Sequence, residues 1–254
     1  MKTPLVEIKI KSIYNNGALL PQRMARCTPD TLMALIGVDQ ELQKLGGNLV
    51  LSDLMRSYDM QYQSNLDYKN GKKKAYSPSP GGSMHEAGRA IDLDLSALKI
   101  SLKEFWVIAQ KYGLYPIIKE PKSSLSEAWH FDCRGSHQKV YEYYSTLQNS
   151  NFKSPYAAMA ASAILEIGEK VDRFPDGKKY IARVQSGLIR LDQDPGIMDG
   201  LMGMKTRAAL TALKIYEYNA LEKIEDMLQE MYPQEYKDVY NEESDTMMPE
   251  HLLV

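Results

Sequence analysis

The segment Ser83-Met84-His85-Glu86-Ala87-Gly88-Arg89-Ala90-Ile91-Asp92, answered downstream by Glu127-Ala128-Trp129-His130, decides how this chain is read. Two imidazoles and one carboxylate are the three-ligand set of a hydrolytic zinc centre. The fourth position stays open for water, whose pKa the metal lowers towards neutrality. A glutamate close by that is not a ligand can take that water's proton and hand it to a leaving amine. Around these residues the pattern is extended. Ala90, Asp92 and Asp94 alternate with Ile91, Leu93 and Leu95, as in a half-buried strand, and Glu127 to Cys133 reads as a second strand. Strict alternation would send Glu127 and His130 to opposite faces, so Glu127 is expected before the strand proper or at a bend.

The pattern S-x-H-x-x-G-x-A-x-D followed by E-x-W-H resembles the zinc D-Ala-D-Ala carboxypeptidases and their L-Ala-D-Glu endopeptidase relatives, which share a metal core with lysostaphin and the hedgehog domain. The resemblance implies zinc as cofactor, with His85, Asp92 and His130 as its ligands and Glu127 as general base. Gly88 matches the family glycine, and Ala90 matches the small residue beside the ligands. Ser83 falls where relatives place a substrate-contacting hydroxyl. Upstream, Asp53-Leu54-Met55-Arg56-Ser57-Tyr58-Asp59-Met60-Gln61 resembles the family's Gly-Tyr-Arg-Ser…Gln segment, with Leu54-Met55 replacing the usual glycine-tyrosine. This makes Arg56 the electrophilic helper at the reacting carbonyl and gives Gln61 a substrate-side place.

At 254 residues the chain suffices for one substantial domain and a small one. It is 44% hydrophobic and 25% charged, an ordinary globular balance. A net charge of −2 argues against nucleic acid as partner, since that binding rests on a basic field. Cys27 and Cys133 lack metal-ligand spacing; they could form one disulfide, but buried free thiols are the first expectation. Val6, Ile8 and Ile10 alternate with Glu7, Lys9 and Lys11, a strand pattern and not an apolar signal core. No run reaches membrane-span length, so no membrane insertion is expected.

The fold expected is α+β: a zinc peptidase domain over 1–150, with a small antiparallel sheet and flanking helices, then a linker at 151–157. A small all-α domain follows over 158–232, and an acidic tail over 233–254. Thr28-Pro29-Asp30-Thr31 opens a helix that stops at Gly46-Gly47; Leu49 to Leu54 is a short strand; Asn65 to Gly82 is loop. Ser101 caps a helix ended by Gly113, and another helix spans Ser136 to Gln148. Beyond the linker, Val184-Gln185-Ser186-Gly187-Leu188 and Asp194-Pro195-Gly196-Ile197-Met198-Asp199-Gly200-Leu201-Met202-Gly203-Met204-Lys205-Thr206 resemble the small peptidoglycan-binding domain. Gly196, Gly200 and Gly203 would allow a tight loop, Thr206 would cap the next helix, and Asp199 would be available to ligand. A helical pattern continues from Ala208 to Met231.

These resemblances imply a monomeric peptidase acting on bacterial peptidoglycan, most simply an L-Ala-D-Glu endopeptidase of the phage-endolysin type. A D-Ala-D-Ala carboxypeptidase is the alternative; a non-catalytic wall-binding or particle protein is the alternative of another class. Synthesis in the cytoplasm is expected, with release through a holin-made hole or an injection machine.

Overall fold

In the computed structural model, residues 2–14, 18–147 and 150–239 are described. The expected α+β architecture is present: helices with two small antiparallel sheets. Strand β1 (Val6–Glu7) pairs with β2 (Arg26–Cys27), and Val6, Ile8 and Ile10 all point into the core as their alternation requires. Helix α1 (Pro29–Lys44) follows, with Thr28 at its N-cap, proline in its first turn, and Leu32, Leu35 and Leu42 fully buried along one stripe.

The second sheet carries the decisive segments in the order β3 (Leu51–Asp53), β4 (Ala90–Leu93), β6 (His130–Cys133), β5 (Leu114–Pro116), antiparallel throughout. Strand β4 is not half-buried as its alternation suggested: all four of its residues are buried. Ile91 and Leu93 face the cluster built on α1 and α3 (Leu102–Lys111), while Ala90 belongs to a second cluster on its other side. The Phe131 and Phe105 rings meet edge to face at 5.0 Å in the first cluster.

Helix α2 (Tyr58–Lys69) occupies a stretch whose second half was expected as loop. Only Gln61 and Asn65 of this helix are buried, so it shows no apolar stripe to read; its start is marked by Ser57, whose hydroxyl accepts from the Met60 amide. Helix α4 (Gln138–Thr146) lies within the expected range, whose last residue, Gln148, falls outside the described residues.

Helix α5 (Pro155–Glu166) begins inside the stretch expected as linker, and residues 158 to 166 are buried without interruption. Its alanines allow close approach on every side, and they pack with Met84, Ala87 and Ala90 in the second cluster. Helices α6 (Asp176–Arg190), α7 (Met204–Ala212) and α8 (Ala220–Met231) enclose a third cluster around Leu188, Leu210 and Ile224. The single helical run expected from Ala208 to Met231 is thus two helices, broken near Lys214, which takes a left-handed φ of 58°. Gly196 and Gly200 adopt positive φ, whereas Gly203 is extended and itself caps α7. Thr206 lies inside α7 and donates to the Pro195 carbonyl at 3.0 Å, so it ties the loop instead of capping the helix.

The expected acidic tail is ordered at its start. Helix α9 (Pro233–Tyr236) buries Glu235, which accepts from Ser136 Oγ at 2.8 Å and Arg190 Nη2 at 2.9 Å and lies 3.5 Å from Arg89 Nη2. The rest of that tail, 240–254, lies outside the described residues. Both cysteines are free and buried. Among the described residues no helix is long and apolar enough to cross a membrane.

Candidate metal centre and cleft

The sheet register assembles the centre. Asp92 on β4 stands directly opposite His130 on β6, and Ala90 opposite Asp132. Cross-strand partners have Cβ atoms about 5 Å apart on one face, so a carboxylate and an imidazole are brought together by strand pairing alone. His85 arrives from the 3₁₀ turn Met84–Ala87, which ends at Gly88 with φ 63°. A Cβ at Gly88 would lie 3.0 Å from the Cys27 Cα, so both the backbone conformation and the space require glycine there.

Nδ1 of His85 lies 2.7 Å from the Leu54 carbonyl oxygen and therefore carries the proton, leaving Nε2 as a lone pair. That Nε2 is buried without a hydrogen-bond partner, 3.3 Å from Asp92 Oδ1. His130 Nδ1 is 2.9 Å from the same Asp92 oxygen, and its Nε2 is 2.9 Å from Asp132 Oδ1. The donor atoms of His85, Asp92 and His130 all lie within 4.8 Å of one another. An orphaned buried nitrogen, two imidazoles each anchored through the opposite nitrogen and one carboxylate fit a divalent ion of the zinc class. Asp132, the carboxylate holding His130, is absent from the sequence reading. The i, i+2 spacing on a strand was the signal that could have found it.

The electrostatics agree. Burial pushes the Asp92 carboxyl up, but His85 and His130 more than reverse this and hold it well below the usual carboxylate range. Burial lowers His130, yet Asp132 and Asp92 raise it to about 10. The positive charge this pocket draws onto His130 is what a dication would supply.

Glu127 sits just before β6, as its parity with His130 required, with a left-handed φ of 68°. A non-glycine residue there is strained, a condition that clusters at functional sites. Its Oε1 is buried without a hydrogen-bond partner. Burial chiefly raises its carboxyl above the ordinary value, with His130 opposing and Asp92 adding to the rise. Arg56 donates from Nε to Asp53 at 2.6 Å, from Nη1 to Gln61 at 3.1 Å and from Nη2 to Asp92 Oδ2 at 3.3 Å. The Leu54-Met55 departure leaves it at the centre: the Leu54 carbonyl anchors His85, and the Arg56 amide donates to the His85 carbonyl.

His85, Asp92, His130, Glu127, Arg56 and Ser83 line one cleft of about 470 Å³, together with half-buried Trp129. Gln61 does not reach it. It is wholly buried, accepts from Arg56 and donates to Ser77 and Pro78, so the structure makes it a support for Arg56. Asp199 is not brought to the cleft either; its carboxylate accepts from Gln185 and from the Leu201 amide within the α6–α7 loop. His137 is wholly buried against Ser162, away from the cleft. Asp94 caps the turn at Ser96. Glu86, unread in the sequence, accepts from the Gly81 and Ser83 amides and fastens the loop ahead of His85. Its carboxyl is raised to about 7 by burial, against those amide bonds.

No family model matches the chain, and no curated protein matches it. Among solved structures, the LdcB LD-carboxypeptidase, described for its peptidoglycan recognition, is 20% identical with a TM-score of 0.39; the match covers 50% of this chain and 66% of that one, just under two thirds of its length. Two structures of DacB from Streptococcus pneumoniae also match. One, named an L,D-carboxypeptidase, is 21% identical with a TM-score of 0.33, over 52% of this chain and 85% of that one. The other is 22% identical with a TM-score of 0.36, over 55% and 96%.

Proposed function

We propose that the chain is a zinc-dependent peptidoglycan peptidase that hydrolyses stem-peptide amide bonds, acting as an endopeptidase between L-alanine and D-glutamate. One observation carries this reading: the His85–Asp92–His130 cluster shares its cleft with a strained glutamate whose Oε1 has no hydrogen-bond partner. A bound zinc ion would supply Lewis acidity and a water acidified towards neutrality. Glu127, its carboxyl raised by burial, takes the proton of the attacking water and returns it to the leaving amine. Arg56 stands beside Asp92 and offsets the negative charge that develops on the carbonyl oxygen.

The engagement of Arg56 by Asp53, Gln61 and Asp92 supports a role at the carbonyl over that of an anchor for a free terminal carboxylate, which favours the endopeptidase over the carboxypeptidase. A structural zinc protein has no use for a strained, open glutamate, which disfavours the non-catalytic reading. The helical region over 158–232 is proposed to hold the wall, raising the local concentration of substrate for a monomeric enzyme. Mass spectrometry of purified peptidoglycan, digested by the protein and by Glu127→Gln, tests the assignment. New amino-terminal D-glutamate in the wild-type digest alone supports it; release of terminal alanine instead would make the chain a carboxypeptidase.

A further inference from the structure

The cleft continues past the metal ligands. A second chamber of about 230 Å³ adjoins it, and Tyr76, Pro78, Gly82, Ser154 and Tyr156 belong to the walls of both. The far wall carries Tyr68 and Lys69 from the end of α2 and Lys153 from just before α5. Both lysines are exposed, and among the described residues no aspartate or glutamate lines the chamber, although the protein as a whole has a net charge of −2. Lys73, held by Ser64 Oγ at 3.0 Å, adds a third cation on the adjoining wall of the main cleft.

A lone exposed lysine is usually just solvated. Here two of them, from the end of α2 and from just before α5, converge on one hollow lined by no acid among the described residues, with Lys73 nearby on the wall of the main cleft. The hollow also offers apolar surface: Tyr68 and Tyr76 meet edge to face at 5.3 Å, and Tyr76 is 63% exposed. The N-terminal end of α5 forms part of the wall, so the positive end of its dipole adds to the field.

We infer that this chamber is a subsite for a carboxylate-bearing arm of the peptide substrate, gripped by Lys69 and Lys153 over the tyrosine rim while the scissile bond lies at His85, Asp92 and His130. The inference rests on the peptidase reading and deepens it, because a substrate reaching both places extends well beyond the bond being cut. It also gives α5, which follows the expected catalytic region, a part in choosing substrate.

The test uses fluorescence anisotropy on the full chain carrying Glu127→Gln, so that nothing is turned over. The probes are a stem peptide with free carboxylates and the same peptide with them amidated. The carboxylate form is expected to bind about tenfold tighter, and Lys69→Glu with Lys153→Glu should abolish that preference. Both side chains are exposed, so the fold is expected to survive, and an unchanged melting curve verifies it. No preference in the parent, or an equal preference in the double variant, overturns the subsite. Cleavage by the active chain is scored separately. Cleavage without preference removes the subsite and leaves the peptidase reading, whereas preference without cleavage of any stem peptide does the reverse.

Discussion

Asp132→Ala should weaken metal binding without unfolding the protein. Asp132 is buried, and its Oδ1 holds His130 Nε2 at 2.9 Å, fixing which imidazole nitrogen faces Asp92. A hydrogen bond to a charged group contributes about 1.5–3 kcal/mol, which converts to roughly 10–100-fold in an equilibrium constant. Loss of a carboxylate that orients a metal-bound histidine is expected to cost affinity on that same scale, about 10–100-fold. The strand itself is secured by backbone pairing of Asp132 with Ala90 and Tyr115, so the loss should appear in the metal constant before it appears in the fold. Competition against a chromophoric chelator gives the zinc dissociation constant of each protein, and urea denaturation checks stability. An unchanged constant in Asp132→Ala, beside a large loss in His130→Ala, would refute the argument that the carboxylate sets the ligand.

Glu127→Gly should be more stable than Glu127→Ala by about 1 kcal/mol, since glycine releases the strain of the left-handed φ, while neither variant cleaves; urea denaturation measures the difference. Glu235→Ala removes the acceptor shared by Ser136 and Arg190 and should cost about 3–5 kcal/mol in the same assay, a large value for a residue in a charged tail. His137 is held well below 6.5, first by burial and then by Arg190 and Arg89, so it is neutral when folded and takes up a proton on unfolding. Its contribution is fully present above pH 6.5 and is lost as pH falls below it, by at most about 1.4 kcal/mol per pH unit. Stability curves of His137→Gln should therefore fall less steeply between neutral and mildly acidic pH than those of the parent.

The candidate site residues were legible because their chemistry is dense in sequence: two histidines, an aspartate and a glutamate at fixed spacings, of which strand pairing brings Asp92 and His130 together. Even the bend at Glu127 was legible, since its odd separation from His130 conflicts with alternation. Supporting residues were less so. Gln61 matched a motif, yet what it does depends on which side of Arg56 it occupies, and sequence does not carry that. Helix α2 was hidden because it buries so little apolar surface. The C-terminal end was misread for the opposite reason. Glu235 and Tyr236 look like solvated tail until Arg89 and Arg190, both nearly inaccessible, are seen to need them. Charges that neutralise one another across 45 residues, as Arg190 and Glu235 do, or across more, as Arg89 and Glu235 do, leave no local pattern.

The most direct test of the account is a zinc titration of metal-free protein, with stem-peptide cleavage followed at each addition. Cleavage should rise from nothing and saturate at one zinc per chain, and Glu127→Gln should bind one zinc equally well and cleave nothing. Full cleavage by verified metal-free protein, or undiminished cleavage by Glu127→Gln, would contradict it.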